Sequence, residues 1–337
     1  APGDEPPLIV LELTRRCGRQ CEVCFHRDMR DGSLAQADMP LALARRAIGL
    51  AARAGARRVR LTGGEPLRHE AFARLLREIR DAGLEAWVNT AGLPEGGTPW
   101  ELLGSAARDV LLPLRDHAQR EQIADGVRAI RRGGPARVRL GVVLTRQSVA
   151  ELSAIVGEAR ELRCLLEAYR IMTVPGHVAG NTADDVRAAL EALDALNRWF
   201  PPESRVRIAN AVPFCVTPDR RRAARNCFGA RFDDGRSRLV VSPEGEIRPG
   251  YALRLGLGHL EETTFTEAWR HPALLELHAA ASLPAPCRAC PDLPTCRGGS
   301  RHEARLATGS LRGMDPLASH PPAAPGEGSA DVARGLQ

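Results

Sequence analysis

Lysine is absent from the 337 residues, so all 47 basic side chains are arginine. With abundant alanine, this reads as a high-GC coding bias rather than a functional signal. Aromatics are scarce, at 4% of the chain, and no basic run is interleaved with them. That argues against nucleic-acid binding by base stacking. No stretch of roughly eighteen apolar residues occurs, so no transmembrane helix and no membrane role are expected. A charged-then-apolar leader with a small-residue cleavage site is also missing. The nine cysteines are an odd count. Together these features argue against a disulfide framework and for a reducing, cytoplasmic setting.

The cysteines that are present are unevenly placed. Cys17, Cys21 and Cys24 follow a short apolar stretch at C-x3-C-x2-C spacing. Three thiolates packed so closely suit an iron–sulfur cluster better than a disulfide pair. A four-iron cluster takes four ligands, so three from the protein leave one iron open to a small molecule. A structural zinc site usually closes with two ligand pairs. This loop has no paired fourth ligand, although His26 lies close enough to keep zinc open.

Apolar periodicity alternates strand and helix. Strands are expected at 8–13, 58–61, 84–89, 109–114, 137–144 and 168–174. Helix faces are marked by Leu41, Ala44, Ala47, Ile48 and Ala51, and by Phe72, Leu75, Leu76 and Ile79. A further helix is expected over 119–131. Two more follow, one on Val149, Leu152, Val156, Ala159 and Leu162, the other on Val186, Leu190, Leu193 and Leu196. Alternation implies a parallel sheet, and six units are too few for a complete eight-fold barrel. After Pro202 the helical periodicity fades, and glycine, proline and cysteine become frequent. Segments 238–242 and 246–248 flank Pro243-Glu244-Gly245 as a hairpin. Residues 203–318 therefore read as a small cysteine-bearing α+β domain after a 1–202 domain, with a disordered tail at 319–337.

The cysteine triplet followed by Phe25, and then Gly63-Gly64-Glu65-Pro66 after the second strand, resembles the radical S-adenosylmethionine (SAM) superfamily. The resemblance implies a partial (β/α)6 TIM-like barrel with both motifs on the rim at the strands' C-terminal ends. It implies a [4Fe–4S] cluster held by Cys17, Cys21 and Cys24, whose open iron chelates SAM, and a 5′-deoxyadenosyl radical that abstracts hydrogen from substrate. Gly63, Gly64, Glu65 and Pro66 would receive the SAM amino group, Phe25 the adenine and Asn89 the ribose. Thr145, Arg146 and Val174, at the ends of strands 5 and 6, and Pro113 to Asp116 after strand 4, would lie near SAM.

The C-terminal region resembles the SPASM or twitch type of auxiliary-cluster domain. Cys287, Cys290 and Cys296 followed by Gly298-Gly299 are close to its signature. The family usually has cysteine where this chain has Gly250, Ser300 and Ala318. Five candidate ligands remain, Cys215 and Cys227 with those three, for one auxiliary iron–sulfur cluster, for zinc, or for nothing. Cys164 reads as a buried filler. Such enzymes modify peptides or small natural products by oxidation, epimerisation or cross-linking. A first strand beginning at Leu8 favours a small substrate or a peptide delivered by another protein, and aminocyclitol or sugar dehydrogenases and epimerases are an alternative. A non-catalytic paralogue acting as a binding partner or scaffold is another. The net charge of +6 would suit an acidic one-electron donor such as flavodoxin or ferredoxin.

Overall fold

The computed structural model describes residues 6–27, 37–93, 95–114, 120–233 and 235–319. Strand and helix alternate through β1 (Leu8–Thr14), α1 (Leu41–Arg53), β2 (Arg58–Gly63), α2 (Phe72–Asp81), β3 (Glu85–Asn89), α3 (Trp100–Ala106) and β4 (Asp109–Pro113). They continue through α4 (Arg120–Gly133), β5 (Arg137–Val143), α5 (Arg146–Ala150), α6 (Leu152–Glu161), β6 (Leu165–Tyr169) and α7 (Ala183–Asn197). Next come β7 (Arg207–Ile208), α8 (Arg220–Asn226), β8 (Leu239–Val241) and β9 (Ile247–Arg248). Short helices complete the described chain: α9 (Phe265–Trp269), α10 (Pro272–His278), α11 (Ala285–Arg288), α12 (Leu293–Cys296) and α13 (Arg301–Thr308).

The strands form one open sheet in the order β7-β6-β5-β4-β3-β2-β1-β8-β9. Neighbours run parallel except β8 and β9, which pair antiparallel. The expected partial barrel is therefore present and not closed. Its edges are extended from beyond residue 202, with β7 beside β6 and β8 beside β1. Pairing β8 with β1 brings the C-terminal region against the strand that leads into the first cysteine loop.

Alternate residues of each strand pack under the helices. Ile9, Leu11 and Leu13 of β1, Val59 and Leu61 of β2, and Leu140 and Val142 of β5 share one core with α1, α2 and α4. On α2, Phe72, Leu75, Leu76 and Ile79 are all buried as their spacing required, each stabilising by about 1.5–3 kcal/mol.

The opposite face of the sheet is polar. Arg58, Arg60, Arg137 and Arg139 surround the Trp87 ring at 4.8, 5.1, 5.6 and 5.1 Å from its centroid. The Asp109 carboxylate, 1% exposed, accepts from Arg137 at 2.5 Å and from the Arg139 Nε at 2.8 Å. Arg139 also pairs with Glu167, which accepts from the Tyr169 hydroxyl. Arg139 and Asp109 are the buried centre of this group, while Arg137 and Arg58 stay partly exposed.

Three expectations need correction. Strand 6 lies at Leu165–Tyr169, not 168–174. Arg163 adopts a left-handed φ of 50°, turning the chain into the sheet directly after α6, and Leu165 to Tyr169 then align with Arg139 to Val143. The helix expected from Val149 to Leu162 is two, because Thr145 caps a separate short turn at α5. The region after residue 202 holds several short helices rather than losing helical structure. In addition, α3 was not anticipated. Its Gly104 sits so close to α4 that a Cβ would lie 2.0 Å from the Ile130 carbonyl, so packing rather than periodicity defines it. The tail from 320, and Arg115 and Asp116, fall outside the described residues.

Candidate active site

The cysteine loop leaves β1 at Thr14, and its stem is fastened on every side. The Gly64 amide donates to the Thr14 carbonyl at 2.6 Å and the Glu65 amide to the Arg16 carbonyl at 2.8 Å. A Cβ on Gly64 would lie 2.4 Å from the Arg16 oxygen and 2.7 Å from the Arg15 oxygen. Gly63, at φ +133°, would place one 2.4 Å from the Thr14 oxygen. The two glycines are therefore needed for backbone to lie on backbone, joining the glycine turn to the cysteine loop.

Side chains reinforce this join. Arg16 donates to Asp38 at 3.0 Å and to the Arg68 carbonyl at 2.7 Å. Arg15 forms two bonds to Glu244 of the β8–β9 turn, at 3.0 and 2.6 Å. Arg19 donates to the Ala91 carbonyl at 2.7 Å. Cys17, Cys21 and Cys24 then stand half-exposed on the loop.

Glu65 is 2% exposed. Its carboxylate accepts from the Thr90 hydroxyl at 2.5 Å, the Ala91 amide at 2.8 Å and the Leu67 amide at 3.2 Å. Three of about four acceptor positions are taken, so this side chain chiefly ties the β2 turn to the end of β3. Burial pushes its pKa up from the ordinary carboxylate value, opposed by those hydrogen bonds and the Arg19 charge. Beside it, the buried Asn89 Oδ1 has no hydrogen-bond partner among the described residues. Phe25 packs 5.3 Å from the Tyr251 ring. The next residue, His26, lies 3.3 Å from Glu12, whose other oxygen accepts from Arg248 at 2.5 Å.

The other expected residues have partners of their own. The Thr145 hydroxyl accepts from the Ser148 amide at 3.0 Å and caps α5. The Arg146 side chain is 86% exposed and paired to Asp185. Val174 lies in a loop bridged to Val178, beyond the end of β6. Arg15, Arg16, Arg19, Asp38 and Thr90 hold the site together. Sequence reasoning missed the roles of the first four, whereas Thr90 stood beside Asn89 in the stretch read as a ribose contact. The donor set suits a four-iron cluster with one open iron. The glycine cradle and the unpartnered Asn89 oxygen suit a polar ligand beside it.

A second thiol group lies in the C-terminal region. Cys215, Cys287, Cys290, Cys296 and Ala318 line one cavity of about 190 Å³. Cys215 comes from the turn Phe214–Val216, Cys287 from α11 and Cys296 from the end of α12. The Phe214 amide donates to the Cys296 sulfur at 3.3 Å, and an Arg220 nitrogen lies 3.6 Å from the Cys290 sulfur. Burial pushes the Cys296 thiol up to about 11, with Cys215 and Cys287 acting on it as neighbours. Cys227 is separate. It is wholly buried, donates to the Ala223 carbonyl at 2.8 Å, and is pushed by burial up to about 12. Cys164 is buried, with its thiol donating to the Leu162 carbonyl at 3.4 Å. Among the described residues, no three His, Cys, Asp or Glu side chains are placed to hold one metal ion.

Residues 9–108 match a family model described as a 4Fe-4S single cluster domain. The chain is 26% identical over 342 residues to the PqqA peptide cyclase of Gluconobacter oxydans (strain 621H), covering 94% of this chain and 92% of that protein. It is 25% identical over 340 residues to the PqqA peptide cyclase of Methylobacterium sp. (strain 4-46), covering 94% and 87%. Among solved structures, Streptococcus suis SuiB bound to S-adenosylmethionine superposes with a TM-score of 0.72 at 17% identity, covering 94% of this chain and 78% of that one. The anSMEcpe structure with bound AdoMet gives 0.70 at 15% identity, covering 92% and 94%.

Proposed function

We propose that the chain is a radical SAM enzyme that modifies a peptide in natural-product biosynthesis by abstracting hydrogen from it, a reading supported by the 4Fe-4S family match and the peptide-cyclase relatives. The observation that carries the reading is the Cys17–Cys24 loop, bonded backbone to backbone to Gly64 and Glu65 on the rim of the open sheet. Its support is a chain matched almost end to end by peptide cyclases, and by a SuiB structure bound to the precursor peptide SuiA. That support favours the peptide over the small natural product, the two substrate classes expected from the sequence.

When bound, the cluster supplies the electron that cleaves SAM to a 5′-deoxyadenosyl radical. The protein's part is placement. Cys17, Cys21 and Cys24 would hold the cluster and leave one iron for SAM. Gly63 and Gly64 keep the loop stem and the ligand-facing turn within contact. Asn89 offers an unused acceptor at the end of β3. The arginine excess favours an acidic electron donor of the flavodoxin or ferredoxin kind, so reduction by such a donor slows as salt rises.

A precursor peptide carrying deuterium on its side chains tests the reading. Deuterium arriving in 5′-deoxyadenosine supports it. Turnover that draws label from a sugar and from no peptide overturns it, and a chain that never forms 5′-deoxyadenosine is the non-catalytic paralogue instead.

A further inference from the structure

We propose that Cys215 is the fourth ligand of an iron–sulfur cluster held by Cys287, Cys290 and Cys296, taking the place left empty by Ala318. This goes beyond the peptide-modifying reading and does not depend on it.

The four thiols line one cavity of about 190 Å³, and the Ala318 methyl group lines it with them. Position 318 thus lies where a ligand would reach the site, but it carries no donor atom. The neighbouring residue explains the substitution: the Ser319 hydroxyl donates to the Cys215 carbonyl at 2.6 Å. The segment that carries Ala318 is thereby fastened to the turn that carries Cys215, so a thiol missing from one strand of backbone is supplied by the adjacent one.

The rest of the cavity is shaped for sulfur. A Cβ on Gly298, at φ +76°, would lie 3.3 Å from the Cys287 sulfur. The Phe214 amide points at the Cys296 sulfur, a bond that tunes cluster potential. The four thiols share one cavity lining, and in a four-iron cluster each thiolate binds its own iron. Cys227 neighbours Cys296 but is not among the residues that line the cavity. Its thiol is bonded to the Ala223 carbonyl. With four protein thiolates, no iron of this cluster is left open for substrate.

The test is made in a chain with Cys17, Cys21 and Cys24 all changed to Ala, so that the first site contributes nothing. Iron, sulfide and zinc are counted after anaerobic reconstitution, and the reduced protein is examined by electron paramagnetic resonance. The expected content is about four irons per chain. Adding Cys215→Ala removes the cluster or converts it to a three-iron form. Adding Ala318→Cys to that variant restores four irons and the four-iron signal, which a merely misfolded chain would not do. Adding Cys227→Ala instead leaves both unchanged. An unchanged spectrum in the Cys215→Ala variant overturns the assignment. So does loss of iron on Cys227→Ala, a single zinc, or no metal in the parent variant.

Discussion

Gly64→Ala places one methyl group against the carbonyls of the cysteine-loop stem. The new Cβ would sit 2.4 Å from the Arg16 oxygen, where ordinary contact begins at 3.4 Å. Relief needs a shift of about 1 Å, since 3.4 less 2.4 is 1.0. Both partners are backbone, so no flexible side chain absorbs it. The stem cannot yield freely, because Arg15, Arg16 and Arg19 tie it to Glu244, Asp38 and Ala91. The shift therefore passes to the cysteines and to SAM. A misplacement of about 1 Å costs on the order of 10²-fold in rate. We expect 5′-deoxyadenosine formation to fall by about that factor, with global stability nearly intact and C-terminal iron unchanged. Gly157→Ala is the control. It lies exposed in α6 with nothing within 4 Å of the added carbon, and gains about 0.5–1 kcal/mol without a change in rate. Full activity in Gly64→Ala would refute the argument that the two motifs work through their close approach.

Asp109→Ala leaves the Arg139 guanidinium, itself 5% exposed, with Glu167 as its remaining carboxylate partner, and costs about 1–3 kcal/mol in urea unfolding. Adding Arg139→Met recovers most of that loss, and failure to recover it would show that the ion pair is not the cause. Glu65 is raised by burial, so the folded chain holds its proton more tightly than the unfolded one. Its contribution is full below the unfolded value of about 4.3 and is lost as pH rises through the folded value. Glu65→Gln therefore gains on the parent as pH rises from about 4 to neutrality, read from urea midpoints; a constant difference contradicts the shift. Tyr251→Ala removes the ring against Phe25 and should raise the Michaelis constant for SAM more than it lowers turnover, and an unchanged constant would separate Phe25 from SAM binding.

What was legible in the sequence is what chemistry forces to be contiguous. Cys17, Cys21 and Cys24 must share a loop, and Gly63 and Gly64 must share a turn, so their spacing announces them. The helix faces of α1 and α2 were legible because burial repeats with the helical period. Strand 6 was displaced because Ile171 to Val174 look as strand-like as Leu165 to Tyr169, and nothing local reveals the turn at Arg163. Thr145 and Arg146 end a strand just as site residues do, yet one caps a helix and the other pairs with Asp185 in solvent. Cys215 and Cys227 were equal by spacing. Only the fold puts one in the cavity and the other in the core.

The central claim is that the loop carrying Cys17, Cys21 and Cys24, bonded to the glycine turn, is a SAM-cleaving centre. The direct measurement is 5′-deoxyadenosine produced from SAM by the anaerobically reconstituted, chemically reduced protein. The account predicts formation by the parent chain and none by the chain with those three cysteines changed to Ala. Formation at an equal rate by both, or by neither when the parent holds a full complement of iron, would contradict it.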